Sequence, residues 1–469
     1  MQRRIVNFWV LLLLTLATGS ALAALATDSL PTVELATGCA ALSFVMAFAH
    51  TLARSPGGLV SLPCGYLGLL GLFHLGLIVP ACLGYAPPRE ARWLFSSTTP
   101  KALLLCVVAF AAFSVGTAVA GLRAPRRPLP GAIAQHSRGL LIGGVVLGLV
   151  GTALLTAGAF RIGMLDVLYR EFFAVRELED PRLFGIGYMF ATMGMVIAGV
   201  GANRAQLRIV GLASVIVLGP LFLYGFRGHL IVYFIALLMI WHRKDRRMAR
   251  QVAVAGLVLV LLLSPAVRLL RAGGTESLTE ALSSVGALDL LTEAGGSLRP
   301  LVETVDALDY DNVGYWYGAS YAAAFTRIVP NASPKWSAPE SRNERDPASW
   351  ITARVEPLAQ QTGGGIGYSG IAEPYLNFGP MGVLLFFLLL GFVLARLDRM
   401  NLGIHAAAVV ACGYAALLWT VRNDFSNLIR PVVWGALVVG ALHLISATRR
   451  ARSNGTPDLV SSPSRTSTG

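Results

Sequence analysis

Residues 102–122 read ALLLCVVAFAAFSVGTAVAGL, an unbroken run without a single charged side chain. A bilayer core takes about 20 apolar residues in one helix, so this run predicts a transmembrane helix. Hydrophobic residues make up 55% of the 469-residue chain and charged residues only 13%, and mean hydropathy is +0.63. This composition excludes a disordered chain, a coiled coil and a nucleic-acid binder. It predicts an all-α polytopic integral membrane protein.

About twelve such apolar stretches follow one another along the chain. The short pair at 209–225 and 229–241 is typical either of a hairpin of two tilted spans or of one broken helix. The first stretch also resembles a signal peptide, with Arg3 and Arg4 before it and a small-residue SALA run at 20–23. The predicted spans are 5–26, 33–53, 59–84, 102–122, 139–160, 183–201, 209–225, 229–241, 251–267, 379–395, 402–421 and 428–447.

The distribution of charge predicts the orientation of these spans. If the spans alternate from a cytoplasmic N-terminus, the inner segments carry 20 basic and three acidic residues, or +17, and the outer segments carry −4, in agreement with the net charge of +13. Basic residues in short loops stay on the cytoplasmic side. We therefore expect both termini in the cytoplasm, and we interpret the excess positive charge as a topology signal and a contact with anionic membrane lipid.

This topology divides the chain into a membrane domain and one large external loop. The membrane domain comprises 1–267, with spans one to nine, and 379–447, with spans ten to twelve. Residues 268–378 lie between spans nine and ten and form the extracytoplasmic loop. A loop of this length is usually functional. Residues 448–469 are rich in Ser, Thr and Pro and are predicted to be a disordered cytoplasmic tail.

Part of the external loop is expected to be helical. The SLTE run at 277–280 is a capping box that opens a helix to about Glu293. Pro300 suits the first turn of a second helix, which would extend to about Asp309. Residues 330–370 are rich in Pro, Ser and Gly, so we expect them to be irregular.

Three motifs in this loop suggest ligands, and each has a plainer interpretation. Asp309-Tyr310-Asp311 has the spacing that holds a metal in many sugar transferases, yet it is also a helix end with solvated acids. The glycines of 363–370 lack the strand and the Lys-Ser/Thr of a nucleotide loop, so we expect them to let the backbone bend or approach closely. Tyr315-Trp316-Tyr317 can stack on sugar rings or form an aromatic belt at the membrane surface. No CxxC or HExxH occurs in the chain, so no metal site is predicted.

Five charged residues lie at the predicted outer ends of spans: Arg227, Glu373, Arg422, Asp424 and Arg430. A charge at membrane depth is costly, so a functional role is the default interpretation. The alternative is that Arg422 and Asp424 pair with each other, or that these side chains extend to water.

The run at 363–382, GGGIGYSGIAEPYLNFGPMG, resembles the end of the large external loop in the Wzy-type O-antigen polymerases. Two shorter stretches agree with it, GFRG at 225–228 and RND at 422–424. The resemblance covers roughly 220–435. The residues that match the family core are Ile371, Ala372, Glu373, Tyr375, Asn377, Phe378 and Gly379.

The resemblance implies an enzyme, a glycosyltransferase that joins oligosaccharide repeat units linked to undecaprenyl diphosphate on the outer face of the bacterial cytoplasmic membrane. A hydroxyl of the incoming unit attacks the anomeric carbon of the growing chain, and lipid diphosphate leaves without a metal or other cofactor. The partners it implies are membrane lipids, a flippase and chain-length regulator proteins. We hypothesise catalytic roles for Glu373, as general base or in orienting the hydroxyl, and for Arg227 and Arg422 at the diphosphate. The expected substrate-binding residues are Arg430, Asp424, Tyr375, Asn377, His229, Arg299 and Arg327.

Three other functions are compatible with parts of the sequence. An O-antigen ligase would pass the finished glycan to another acceptor. A polytopic transporter usually has a long cytoplasmic link between its halves, whereas only 202–208 follows span six here. A transferase of single polyprenyl-phosphate sugars often has adjacent acids in the first external loop, where this chain has only Asp28 and Glu34.

Overall fold

The computed structural model describes residues 2–85, 89–121, 136–161, 182–223, 227–254, 288–311, 313–328, 346–361 and 365–454. Within these ranges every regular element is helical, as the composition predicts. Short 3₁₀ turns join some of the α-helices. The α-helices are α1 (Gln2–Thr27), α2 (Val33–Arg54), α3 (Leu62–Leu75), α4 (Ile78–Cys82), α5 (Thr99–Gly121), α6 (Arg138–Arg161), α7 (Arg182–Gly201), α8 (Arg204–Leu223), α9 (Arg227–Lys244), α10 (Asp289–Ala294), α11 (Leu298–Tyr310), α12 (Ala319–Thr326), α13 (Pro347–Val355), α14 (Pro357–Gln361), α15 (Ala372–Arg399), α16 (Ile404–Trp419) and α17 (Ser426–Asn454).

Eight helices in the described ranges are long and apolar enough to cross a membrane, and they are α1, α2, α5, α6, α7, α8, α15 and α17. The chain is therefore a multi-pass membrane protein. Helices α3 and α16 are apolar but shorter. The predicted count of twelve is not reached among the described residues, and only the first four positions of the predicted span at 251–267 lie within them.

The span predicted at 59–84 is broken into two helices. Helix α3 ends at Leu75 and α4 begins at Ile78. A Cβ at Gly76 would lie 2.4 Å from the carbonyl oxygen of Leu291, so the predicted external loop packs directly against the break. The apolar run is long enough for one span, but this contact with a distant segment interrupts it.

The described parts of 209–225 and 229–241 form two helices, α8 and α9, and of these α8 is among the eight candidate spans. The Nε of Arg204, at the start of α8, donates to the carbonyl of Lys244, at the end of α9, at 3.0 Å. Ser214 and Tyr233 share a hydrogen bond of 3.1 Å between the middles of the two helices. The helices therefore lie side by side and antiparallel.

Two apolar cores hold the bundle together. One is built mainly from α1, α2, α3, α5, α11 and α15, and the other from α6 to α9, α16 and α17. In the second core α6 and α7 pack backbone to backbone, since a Cβ at Gly151 would lie 2.1 Å from the amide nitrogen of Ala191. Small residues permit this close approach. Close packing drives helix association in a membrane, because no hydrophobic effect acts between helices there.

Residues that the charge pattern assigns to one side of the membrane meet in space. At one end of the bundle the guanidinium of Arg399 donates to the carbonyl of Arg54 at 3.1 Å. At the other end Lys101 pairs with Asp309 at 2.7 Å and with Asp28 at 3.9 Å. Both groupings agree with the alternation of spans.

The predicted external loop is more helical than expected over its described residues. Helix α11 spans Leu298–Tyr310 and carries Pro300 in its first turn, close to the prediction. The expectation of an irregular 330–370 is wrong over 347–361, where α13 and α14 each begin with a proline. Proline suits this position because its missing N–H would have no helical partner. The capping box at 277–280 and residues 330–345 lie outside the described residues.

Helix α17 continues to Asn454, so the predicted disordered tail at 448–469 is wrong for its first residues. A basic TRRAR run at 448–452 extends the helix because Arg and Ala are good helix formers. Residues 455–469 lie outside the described ranges.

Candidate functional site

The site is built around a break in α15. Gly379 has φ +66°, outside the helical region, and Pro380 follows it. Proline has no N–H to donate to the carbonyl of Leu376, four residues earlier. The amide of Trp316 donates to that carbonyl instead at 3.0 Å, and the amide of Tyr317 donates to the carbonyl of Asn377 at 3.1 Å. The predicted external loop is thereby fixed to the start of α15.

The Asn377 side chain continues this attachment. Its Oδ1 accepts from the amide of Gly318 at 2.9 Å. Its Nδ2 donates to Ser320 Oγ at 2.8 Å and to the carbonyl of Glu373 at 2.9 Å. Because Asn377 is fully buried and bonded at both ends of its amide, it holds α12 and α15 in one register.

Glu373 lies in the first turn of α15 and is only 4% exposed. The sequence placed it a few residues before a span, whereas here it begins the same broken helix. Its Oε1 accepts from Ser320 Oγ at 2.7 Å, and its Oε2 accepts from the amide of Phe425 at 2.7 Å. The carboxylate thus joins three segments: α12, α15 and the turn before α17.

A second buried carboxylate, Asp424, precedes Phe425 in this turn and is 2% exposed. It accepts from the amide of Ser426 at 3.0 Å and from the Ser426 hydroxyl. Burial, and then the neighbouring carboxylate of Asp346, raises the pKa of Asp424 above its ordinary value. Asp346 also pairs with Arg327 at 3.2 Å, so acids and a cation alternate across the site.

A cavity of about 350 Å³ opens beside these residues, between α7, α9, α16 and α17. Arg327 and Arg430 line its polar part together with Ser426 and Asn427. The Nε of Arg430 donates to the carbonyl of Arg327 at 2.8 Å. Arg327 Nη1 donates to Ser426 Oγ at 3.3 Å. The rest of the wall is largely apolar and includes Met189, Met193, Val196, Ala416 and Trp419.

The glycine-rich run packs against the turn that precedes α17. The amide of Tyr368 donates to the carbonyl of Arg422 at 2.8 Å. Gly367 has φ +75°, and a Cβ there would lie 2.9 Å from the same carbonyl. The interpretation of these glycines as points of close backbone approach is confirmed for the described part of the run, 365–370.

A histidine that the sequence did not single out orients the start of α15. His74 Nε2 lies 2.7 Å from Ser369 Oγ, and its Nδ1 lies 2.9 Å from the carbonyl of Leu70. Ser369 Oγ in turn accepts from the amides of Ile371 and Ala372. The only signal for this contact in the sequence was a lone histidine in an apolar run. Such a histidine does not identify its partner Ser369, which is 295 positions away.

The structure separates several of the predicted site residues. Arg422 lies 6.0 Å from the Phe73 ring centroid and is not part of the cavity wall. Arg299 pairs with Glu356 at 2.6 Å, away from the cavity. Tyr375 is buried, and its ring contacts that of Tyr315 at 6.3 Å.

Arg227 and His229 begin α9, and their side chains lie outside the described residues. Arg227 precedes Tyr233, which lines the cavity, by about 9 Å along the helix. Their predicted roles at the diphosphate and the substrate therefore stay predictions.

The two acids of the DxD motif have separate partners. Asp309 pairs with Lys101 at 2.7 Å, and Asp311 pairs with Arg354. Both acids are ion-paired at the end of α11 and remain partly exposed to solvent, which agrees with the interpretation as a helix end with solvated acids. Among the described residues, no three His, Cys, Asp or Glu side chains converge as metal ligands.

The chain was also compared with known proteins. The profile of the family described as O-antigen polysaccharide polymerase Wzy matches residues 171–451, more than half of the chain. The matched range contains the residues that line the cavity, Glu373 and the turn before α17. It also contains the region of resemblance at 220–435. No curated protein and no solved structure matches the chain. The chain belongs to the O-antigen polysaccharide polymerase Wzy family.

Proposed function

We propose that the protein polymerises oligosaccharide repeat units, linked to undecaprenyl diphosphate, into a surface polysaccharide on the outer face of the cytoplasmic membrane. Membership of the Wzy family supports the polymerase activity. The observation that carries the proposal further is the cavity with Arg327 and Arg430 at its polar part and apolar walls elsewhere.

This cavity matches the chemistry of a lipid diphosphate. Arg430 bonds to the backbone of Arg327. The two guanidinium groups lie within electrostatic range of each other, so their like charges repel. Asp346 offsets part of this charge, and the raised pKa of Asp424 reduces its own negative charge. A diphosphate would relieve the remaining repulsion through charge-assisted hydrogen bonds. The apolar wall formed by α7 and α16 suits a prenyl chain.

The reaction is a single glycosyl transfer. A hydroxyl oxygen of the acceptor unit forms a bond to the anomeric carbon of the growing chain. The bond between that carbon and the diphosphate oxygen breaks, and its electron pair leaves with the lipid diphosphate. Negative charge grows on the leaving group, so Arg327 and Arg430 stabilise the transition state more than the ground state.

The acceptor hydroxyl must also lose its proton, and we assign this proton to Glu373. Each carboxylate oxygen has two lone pairs, and the bonds from Ser320 and Phe425 occupy one on each oxygen. One lone pair per oxygen remains to accept the hydroxyl proton. Because Glu373 joins α12 and the turn before α17, it also orients the groups around the acceptor.

The proposal includes an orientation. Both termini and the basic short loops lie in the cytoplasm, and the segment that carries α10 to α14 lies outside, where lipid-linked units are presented. In this position the protein would work with a flippase and chain-length regulator proteins. No metal or organic cofactor enters the proposed reaction.

The decisive experiment is polymerisation by the purified protein in nanodiscs with lipid-linked repeat units, read as a ladder on a gel. A ladder supports the proposal. Transfer of a finished glycan to a lipid acceptor without chain growth would indicate a ligase instead. Uptake of labelled solute by proteoliposomes that form no glycan would indicate a transporter. In cells, deletion of the gene should leave surface glycan with a single repeat unit.

A further inference from the structure

The turn between α11 and α12 has a conformation that its sequence does not favour. The amide of Ala319 donates to the carbonyl of Trp316 at 2.9 Å. The two central residues, Tyr317 and Gly318, have φ of +46° and +89°. Positive φ at both central positions defines a type I′ turn, in which Gly, Asn and Asp dominate. Gly318 meets this requirement, but a tyrosine at Tyr317 is a strained choice.

The attachment to α15 imposes this conformation. The amides of Tyr317 and Gly318 donate to the backbone carbonyl and to Oδ1 of Asn377. Meanwhile the Tyr317 side chain is 79% exposed, so its ring gains little from packing. Asn or Gly would keep the same backbone bonds without the strain. Strain that is retained without a gain in packing indicates a function for the side chain itself.

The surroundings of Tyr317 have the composition of a carbohydrate site. Tyr315 is 40% exposed, and its ring contacts that of Tyr317 edge to face at 6.5 Å. Trp316, between them, turns inward against Trp350 at 5.4 Å. The two tyrosines therefore face outward together while the tryptophan anchors the turn.

Polar groups lie on the Tyr315 side of this pair of rings. Tyr315 contacts Tyr375, which lies within electrostatic range of Asp309 and Asp28. Lys101 pairs with both acids. Planar rings beside carboxylate acceptors and an ammonium donor can bind both the C–H face and the hydroxyl groups of a sugar.

We infer that Tyr315 and Tyr317 form a binding subsite for a pyranose ring of the acceptor repeat unit, with Asp28, Asp309 and Lys101 at its polar edge. This inference rests on the proposed function. The C–H face of the sugar stacks on the negative face of the Tyr317 ring, and the turn holds that ring in a fixed position.

The position of the subsite supports an acceptor rather than the leaving group. Gly318 precedes α12 and Arg327 follows it, so the subsite and the arginines are about 12 Å apart along the helix. Ser320 and Glu373 are linked between them. In a direct displacement the nucleophile approaches opposite the leaving group. With lipid diphosphate at Arg327 and Arg430, the acceptor therefore reaches Glu373 from the side of Tyr317.

The alternative is that these tyrosines only anchor the protein at the membrane surface. Such an anchor needs an apolar side chain near the interface, but it does not need a strained turn. The two interpretations therefore differ in what Tyr317→Leu and Tyr317→Asn should do.

The test uses the full chain in nanodiscs. The probe is the free oligosaccharide released by mild acid from the lipid-linked units of a strain that lacks this protein. Binding is measured by saturation-transfer NMR, and chain growth by ladders in cells. Tyr317→Asn should be at least as resistant to thermal unfolding as the wild type, and it should bind the oligosaccharide about tenfold more weakly.

Three further variants complete the test. Tyr317→Trp retains a planar ring and should retain binding, whereas Tyr317→Leu should lose it. Phe325→Ala removes another exposed aromatic ring, on α12, and should leave binding unchanged.

Wild-type binding and ladders in Tyr317→Asn and Tyr317→Leu would overturn the inference without affecting the polymerase proposal. If the wild-type protein gives normal ladders in cells but does not bind the oligosaccharide in nanodiscs, the inference is also overturned. Binding through Tyr317 by a chain that makes no polymer would instead disprove the proposed function and keep the subsite.

Discussion

The hydroxyl of Ser320 donates to Oε1 of Glu373 at 2.7 Å, across 53 positions of the sequence. The same hydroxyl oxygen accepts from Asn377, so Ser320 connects the carboxylate to the broken start of α15. A carboxylate that is held this firmly cannot reorient, and any acceptor hydroxyl must come to it. This arrangement makes Glu373 testable by variants that keep its shape.

Glu373→Gln should abolish long chains at normal protein abundance. The amide oxygen of Gln can accept from the Phe425 amide, and its NH₂ can donate to Ser320 once that hydroxyl rotates, so the hydrogen bonds survive while the basicity is lost. Removing a general base typically costs about 10²–10⁴ in rate. The measurement is the ladder of surface glycan, with immunoblotting of membranes for abundance.

Ser320→Ala is the matched control. It removes one hydrogen bond to Glu373 and leaves the carboxylate in place, so we expect shortened but not abolished ladders. If Glu373→Gln gives full-length ladders while Ser320→Ala lowers abundance, the pair is structural and Glu373 is not the base.

Arg327→Ala and Arg430→Ala should each reduce the polymerisation rate by about 10²–10³, because each removes a fixed cation from the leaving diphosphate. Arg430→Lys should be milder than Arg430→Ala but still impaired, since an ammonium keeps the charge and loses the planar fork. The measurement is the initial rate in nanodiscs at saturating lipid-linked substrate.

Arg354→Gln serves as the control, because Arg354 pairs with Asp306 and Asp311 in the segment between α9 and α15 and does not line the cavity. Arg422→Ala distinguishes the sequence-based hypothesis, in which Arg422 binds the diphosphate, from the proposal that the diphosphate binds in the cavity. A loss there as large as in Arg327→Ala, with Arg430→Ala unaffected, would place the diphosphate at Arg422 instead.

Asp424→Asn should flatten the pH dependence of thermal stability. Because burial and Asp346 raise the folded-state pKa of Asp424, the folded protein binds this proton more tightly than the unfolded chain does. The resulting stability is complete below the unfolded pKa of about 3.9 and is lost as pH rises through the higher folded value. The melting temperature in detergent, measured from about pH 4 to about pH 9, tests this loss of stability. This range covers roughly the unfolded and the folded pKa of Asp424.

In this experiment the melting temperature of the wild type should fall towards alkaline pH more than that of Asp424→Asn. The Asn side chain can still accept from Ser426, so the turn is kept. Parallel curves for the two proteins would show that Asp424 is ionised throughout and that the site carries more negative charge than we infer.

Excess chelator should leave polymerisation by the purified protein unchanged. The expectation follows from the absence of metal-ligand spacing in the sequence and from the separate ion pairs of Asp309 and Asp311. The rate is compared with and without EDTA, and again after addition of Mg²⁺ or Mn²⁺. Activity that is lost and then restored by either ion would require a metal site that the described residues do not contain.

The orientation can be tested by labelling. Leu358 is exposed on α14, and Leu358→Cys should react with an impermeant maleimide in spheroplasts. Arg247 is exposed in the basic segment after α9, and Arg247→Cys should react only after lysis. The reverse pattern would place α10 to α14 in the cytoplasm and remove the proposed site from its substrate.

The sequence by itself determined the class of the protein. Apolar runs the length of a bilayer predict membrane-spanning helices, because a helix satisfies its own backbone in lipid. The local run NFGP at 377–380 also determined the break in α15, since a glycine and a proline together interrupt a helix. Arg327 and Arg430 were named as substrate-binding candidates, but nothing in the sequence indicated that they share one cavity.

Only the tertiary structure decided the arrangement of the site. Arg430 bonds to the carbonyl of Arg327 across 103 positions, and Trp316 caps a carbonyl that Pro380 leaves free. Arg422, two residues before Asp424 in the sequence, lies against Phe73 instead of the cavity. A sequence specifies which groups need partners, but which distant groups meet depends on how several helices pack at once, and local patterns do not contain that information.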